Sequence, residues 1–239
     1  MKRHFTGSTD PGLVRSVNQD AYYMDPEGRF FIVADGMGGH AGGQEASSIA
    51  TTEVKEYLNA HWDDDLPSEE LLTKALELAN ERILDDQYRH PERGDMGTTA
   101  VMVIFRHDGV WSANIGDSRL YRMRGSQLEQ LTDDHTWVAR AMKVGDISKE
   151  QARSHPWRHV LSQCLGRKDL YKIDVQQLDV VSGDRLLLCS DGLTEEVPDE
   201  LISHCLEGYD GKEAVAELIE KAKNAGGSDN ITIILLKEV

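Results

Sequence analysis

Four aspartates stand in short polar or glycine-containing turns and carry most of the chemical promise of this chain. They are Asp35 in Ile32-Val33-Ala34-Asp35-Gly36-Met37-Gly38-Gly39-His40, Asp117 in Ile115-Gly116-Asp117-Ser118-Arg119, Asp191 in Leu187-Leu188-Cys189-Ser190-Asp191-Gly192, and Asp229 in Gly227-Ser228-Asp229-Asn230-Ile231. Apolar runs precede the first three and read as buried strands. Each carboxylate is therefore expected at a strand end, held rigidly toward whatever cleft the ends line. A neighbouring glycine lets the backbone turn sharply and lets a carbonyl approach a ligand. A single Asp-Gly is ordinarily just a turn. Four of them, spread along the whole chain, supply the rigid oxygen ligands that hard divalent cations need. The expectation is a carboxylate metal centre.

Other chemistries fit poorly. The segment Gly36-Met37-Gly38-Gly39-His40-Ala41 matches the G-x-G-x-x-A form of a dinucleotide-binding loop. However, Asp35 would repel a pyrophosphate, the element after the next helix reads as a second helix, and Glu56 lies inside a helix rather than at a ribose position. A Rossmann oxidoreductase is thus the weaker reading. Cysteine-based phosphate chemistry needs Cys-x5-Arg, and Leu170, Glu195 and Gly211 stand six residues after Cys164, Cys189 and Cys205. There is no Gly-x-Ser-x-Gly elbow, no Walker A segment and no His-Glu-x-x-His pair among the nine histidines. The Asp63-Asp64-Asp65 run reads as a solvated loop.

The elements that must position these aspartates follow from periodicity. Short strands are expected at 21–24 and 30–34 around the turn Asp25-Pro26-Glu27-Gly28. Helical spacing runs through 43–60, and a second helix from Ser68, read as an N-cap, to about Tyr88. Strands at 99–105, 110–115 and 119–124 are joined by tight turns and must be antiparallel. Further strands are expected at 174–180 and 185–190, helices at 199–206 and 212–225, and an apolar strand at 231–236. Antiparallel strands with helices grouped in pairs argue for an α+β layered fold. At 239 residues one domain spanning 1–239 is expected. Between about 135 and 166 the pattern turns irregular, with Trp137, His155, Trp157 and His159 among arginines, and reads as a flap beside a site.

Composition narrows the partners. The formal net charge is −16 with basic residues scattered, so no face suits nucleic acid or anionic lipid. Any phosphate site must be built locally from cations and a positioned arginine. Three widely spaced cysteines suit a reducing compartment. No apolar run approaches membrane-spanning length and no leader-like h-region is evident. A cytoplasmic monomer is expected.

The ordered series Arg15-Ser16-Val17-Asn18-Gln19-Asp20-Ala21, Val33-Ala34-Asp35-Gly36-Met37-Gly38-Gly39-His40, Gly97-Thr98-Thr99-Ala100, Gly116-Asp117-Ser118-Arg119, Ser190-Asp191-Gly192 and Asp229-Asn230-Ile231-Thr232 resembles the motifs of PP2C-type (PPM) metal-dependent protein serine/threonine phosphatases, in their compact bacterial form. The resemblance implies a four-layer α-β-β-α sandwich of two antiparallel sheets flanked by helix pairs. It implies two Mg2+ or Mn2+ ions, bridged by Asp35, with the Gly36 carbonyl on one ion and Asp191 and Asp229 on the other. Asp117 with Asp191 matches a third metal position. Asp20 corresponds to an acidic residue that orients metal-bound water, Arg15 to the phosphate-holding arginine, and His40 to a proposed general acid. The activity implied is hydrolysis of phosphoserine and phosphothreonine in proteins. A metal-bridged hydroxide would attack phosphorus in line without a phosphoenzyme, in intracellular signalling. A pseudophosphatase on the same fold would be expected to have lost a ligand, and every aspartate is present.

Overall fold

The computed structural model describes residues 3–39, 41–153 and 155–238. The chain runs β1 (Arg3–Asp10), β2 (Asp20–Met24), β3 (Phe30–Gly38), α1 (Gly42–His61), α2 (Ser68–Arg89), β4 (Met96–Thr98), β5 (Ala100–Arg106), β6 (Gly109–Ile115), β7 (Arg119–Arg124) and β8 (Gln127–Gln130). It continues through α3 (Trp137–Lys143), α4 (Lys149–Arg153), β9 (Asp174–Leu178), β10 (Arg185–Cys189), α5 (Asp191–Thr194), α6 (Asp199–Gly208), α7 (Gly211–Ala225) and β11 (Ile231–Glu238). One sheet has the order β2-β3-β5-β6-β9, with β4 extending from β3, and the other has the order β1-β11-β10-β7-β8. The pairings within both sheets are antiparallel. This topology excludes the doubly wound parallel sheet of a Rossmann enzyme.

Period-two alternation explains the layering. On β3, Phe30, Ile32 and Ala34 pack with Ala46, Val54 and Leu58 of α1 and Leu72, Leu76 and Ile83 of α2. Phe31 and Val33, pointing the other way, join Val101 and Val103 against Leu120, Leu188 and Ile234 of the second sheet. On that sheet's far face, Leu187, Cys189, Ile233 and Leu235 pack beneath Ile202, Leu206, Val215 and Leu218 of α6 and α7. The result is the expected four-layer α-β-β-α sandwich. Burying one leucine fully contributes about 1.5–3 kcal/mol, so Leu71, Leu72 and Leu76 alone anchor α2 firmly.

Some local expectations change. Ser68 is the first residue of α2, not its N-cap, and Pro67 precedes it. The Ser68 N–H and Oγ instead donate to Asp108 at 2.9 and 2.6 Å, so a carboxylate from the β5–β6 turn serves the positive end of the helix. Strands β1, β4 and β8 and the short α5 add to the expected set. β1 is an edge strand whose polar residues are only partly covered, and β4 has three residues, so neither leaves a hydrophobic period to read. Asp35 does not end its strand. β3 runs on to Gly38 because Gly36–Gly38 pair with Thr98–Met96. In the 135–166 excursion, α3 is capped by Thr136 Oγ1, which accepts the Ala139 N–H. The Trp137 ring stacks on His155 at 4.7 Å and meets Trp157 edge-on at 5.0 Å, so these aromatic rings pack on one another.

Candidate metal centre

The two sheets bring their carboxylates to one end of the sandwich. β2 and β3 pair with Asp20 directly opposite Asp35. From the other sheet come Asp191, the first residue of α5 after β10, and Asp229, two residues before β11. Asp117 sits in the turn between β6 and β7, so it follows one sheet and precedes the other. Close backbone approach shapes the chain just after Asp35 and just after Asp191. A Cβ at Gly36 would lie 2.0 Å from the Gly43 carbonyl oxygen, and one at Gly192 would lie 2.0 Å from that of Asn230. Only glycine fits at either position.

Hydroxyls and amides fix the carboxylates. Asp20 Oδ2 accepts from Ser190 Oγ at 2.8 Å and Thr232 Oγ1 at 2.7 Å, which ties β2 to the opposite sheet. The Asp35 N–H donates to Thr99 Oγ1 at 2.9 Å, and the Asp35 carbonyl accepts from the Thr99 N–H at 2.9 Å and from Thr98 Oγ1 at 2.8 Å. Thr99 Oγ1 also meets Ser118 Oγ at 2.6 Å, linking the backbone of Asp35 to the residue after Asp117. Asp229 Oδ1 accepts the Asn230 N–H, while Asn230 Oδ1 accepts the Gln19 N–H and its amide donates to the carbonyls of Pro11 and Val17. Arg15, with 54% of its side chain exposed, donates to Asp229 Oδ2 at 2.7 Å.

The electrostatics of this cluster are those of a cation site. Loss of solvation, then the negative charges of Asp20, Asp191 and Asp117, hold the Asp35 carboxyl well above the usual carboxylate range. Asp117 is raised in the same way by desolvation and by Asp191. Desolvation also raises Asp191, and it raises Asp20 to about 7 against the opposing hydrogen bonds from Thr232 and Ser190. Among the described residues, no amide, hydroxyl or basic donor reaches the buried Asp20 Oδ1 or Asp191 Oδ1. These two buried acceptors, amid carboxylates crowded by like charge, fit divalent cations and fit an apolar ligand poorly.

Of the residues singled out from the sequence, Arg15, Asp20, Asp35, Gly36, Asp117, Asp191 and Asp229 meet here. His40 lies outside the described residues. Sequence reasoning assigned no part to Thr98, Thr99, Ser190, Asn230 or Thr232, although all five stand inside the motifs that carried the resemblance. It gave Glu195 no part and placed His159 only in the flap, away from the metal-binding set. His159 Nδ1 touches Glu195 Oε1, and His159, Asp191 and Glu195 offer ligand atoms that all lie within 4.8 Å of one another. The excursion therefore brings a histidine to the edge of the centre. Desolvation and the charges of Asp191 and Asp229 push Glu195 up to about 8. A groove of about 1170 Å³ leads away from Asp117 and Asp191, and the excursion lines it with Arg140, Lys149 and Arg158.

Comparison with known proteins bears on the family and the fold. The family described as "Protein phosphatase 2C" matches residues 14–231. The Serine/threonine protein phosphatase PstP of Mycobacterium tuberculosis is 36% identical over 97% of this chain, which spans only 44% of that relative's length. Protein phosphatase PhpP of Streptococcus pneumoniae is 37% identical over 95% of this chain and 94% of its own. A crystal structure of the catalytic domain of PstP in complex with two manganese ions is 33% identical, covers 98% of this chain and 97% of its own, and superposes with a TM-score of 0.85. A family match over residues 14–231, relatives more than 30% identical over nearly the whole chain and a shared fold lead to one conclusion: this chain belongs to the protein phosphatase 2C family.

Proposed function

We propose that this chain is a metal-dependent phosphatase that releases phosphate from phosphoserine and phosphothreonine in proteins. The observation that carries the reading is the convergence of five carboxylates from both sheets, two of them with buried oxygens that no donor among the described residues satisfies. Asp35, the Gly36 carbonyl, Asp191 and Asp229 would hold two Mg2+ or Mn2+ ions, and Asp117 with Asp191 a third. When bound, such ions neutralise phosphoryl oxygens and acidify water. The manganese in the PstP catalytic domain supports that choice of metal.

The chain's own groups have distinct tasks. Asp20, with Oδ2 saturated by Ser190 and Thr232, keeps Oδ1 to orient the attacking water. Arg15 donates one N–H to Asp229 and retains others for the phosphoryl oxygens, and its exposure leaves it reachable by a bulky protein substrate. His40 is the proposed donor of a proton to the leaving alkoxide. Attack is in line and direct, with no phosphoenzyme. Burial pushes the thiols of Cys164 to about 11 and Cys189 to about 12, so neither supplies a thiolate. The catalytic unit is one domain over 1–239 with 135–166 as its flap, acting as a cytoplasmic monomer in signalling. Three buried free thiols suit that reducing compartment.

Phosphate release from phosphoserine and phosphothreonine peptides tests the reading. Exhaustive chelation should abolish it, and Mn2+ should restore it better than Ca2+, which prefers a looser coordination shell. Full turnover in the chelated protein would overturn the proposal.

A further inference from the structure

The loop between β1 and β2, residues 11–19, carries Arg15 and surrounds it with aliphatic side chains. Leu13 is 64% exposed, Val14 70% and Val17 45%, and all three stand within two residues of that arginine. Among the described residues, none of the three joins a hydrophobic core. Single exposed aliphatics are ordinary, whereas a group of them around a binding residue marks a contact surface. A loose loop does not account for the exposure, because the backbone is tied down along its length. The Asn230 side-chain amide donates to the Pro11 carbonyl at 3.0 Å and to the Val17 carbonyl at 3.1 Å, so one side chain clasps both ends. Between them, the Leu13 N–H donates to the Gly227 carbonyl at 2.8 Å and the Gly12 N–H to Asp10 Oδ1 at 2.9 Å. A Cβ at Gly12 would lie 2.3 Å from the Asp229 carbonyl oxygen, so the loop rests on the backbone of the centre itself. Residues 11–19 take no part in the groove that leads away from Asp117 and Asp191. The aliphatic patch therefore meets the centre separately, through Asp229, and from a fixed frame.

We propose that Leu13, Val14 and Val17 select the substrate, by binding an apolar side chain of the phosphopeptide close to the residue whose phosphoryl group Arg15 holds. The proposal rests on the phosphatase reading above and on that role of Arg15. The occupant is the peptide because Arg15 lies in the middle of the patch, and any other protein seated there would cover the arginine and block turnover. An extended peptide rises about 3.3 Å per residue, so it meets all three aliphatics within about three residues of its phosphate. A charged or hydroxyl-bearing side chain set against them would lose water without gaining a partner.

A series of phosphoserine peptides with leucine or serine at each of the three positions on either side of the phosphate tests this. On the native chain, leucine at one or more of these positions should raise kcat/KM about fivefold or more over serine, through KM, as partial burial of a few methylene groups implies. In Leu13→Ser/Val14→Ser/Val17→Ser the ratio of leucine to serine peptide should fall below about twofold, while Val14→Ile/Val17→Ile, which keeps the patch apolar, should retain it. The ratio is taken within one chain, so a shift of Arg15 or a loss of folded protein lowers both peptides together and leaves it unmoved. The native comparison stands even if the triply substituted chain does not fold. A native chain indifferent to leucine at all six positions, or a preference that survives the triple substitution, would overturn the proposal. So would a native dimer in sedimentation that the triple substitution dissociates, since the patch would then be a contact between copies. A native chain that releases phosphate from none of the peptides would overturn the phosphatase reading itself, and the selection with it.

Discussion

Asp35 is held on both sides of its peptide by Thr99, its carboxylate is pressed by three others, and the proposed function makes it the bridging ligand. Asp35→Ala should lower phosphopeptide kcat by at least about a hundredfold while the chain stays folded, because crowding among the remaining carboxylates is relieved. Cys189→Ser is the contrast. Cys189 is fully buried in an apolar cluster, and its replacement should cost stability, about 1–3 kcal/mol, but little turnover in the folded fraction. If the cysteine change were the one that abolished turnover, the nucleophile would have been misassigned. Thr99→Val tests the support beneath the site. It keeps the shape and leaves the Asp35 N–H and Ser118 Oγ without a partner, and it should cost about 1–3 kcal/mol of stability by denaturant melt. Thr99→Ser, which restores the hydroxyl, should recover most of that.

At the scale of elements, the flap lines the groove with four cations, Arg140, Lys143, Lys149 and Arg158, opposite acidic residues such as Asp191, Glu195 and Glu196. Exchanging Arg140 and Lys149 together for glutamate should lower kcat/KM on phosphopeptides with acidic flanks at least about tenfold, since like charge opposes docking. Hydrolysis of p-nitrophenyl phosphate, which is too small to reach along the groove, should change by less than about twofold. Equal losses on both substrates would mean that the flap supports the centre rather than selecting the peptide. How far these elements were legible depends on where their residues are buried. β3, β5 and β10 are covered on both faces and announce themselves as apolar runs, and the stripes of α1 and α2 fix their length within a residue or two. β1 is partly covered along its length, so its polar residues carry no period. Asp20, Asp35, Asp191 and Asp229 were legible because each sits in a local motif. Glu195 and His159 were not, because only the folding of the flap against α5 brings a histidine to a glutamate 36 residues away.

For the whole molecule, the crowded carboxylates set how stability depends on pH when no metal is bound. Asp20 is raised to about 7 and Glu195 to about 8, with Asp35 and Asp117 also raised, whereas unfolded carboxylates titrate near 4. Between those values the folded chain holds more protons than the unfolded one, so stability falls as pH rises. The melting temperature of the chelated protein should therefore decline from about pH 5 to about pH 8. Added Mn2+ should reverse the decline, with a stabilisation that grows with pH because cations displace those protons. A chelated protein whose melting point rises or stays level across this window would contradict the crowding.

The pairing of β1 with β11 sets Arg3 opposite Glu238, across almost the whole length of the chain, and seats β11 between β1 and β10. During synthesis on a ribosome, then, the second sheet stays split until residues 231–238 have emerged, and Asp229 arrives with them. A nascent or 3′-truncated product has its first helix pair and the Asp20–Asp35 half of the centre, but neither a closed sandwich nor a complete set of carboxylates. Under the proposed function, chains cut short before residue 229 should release no phosphate from phosphopeptides.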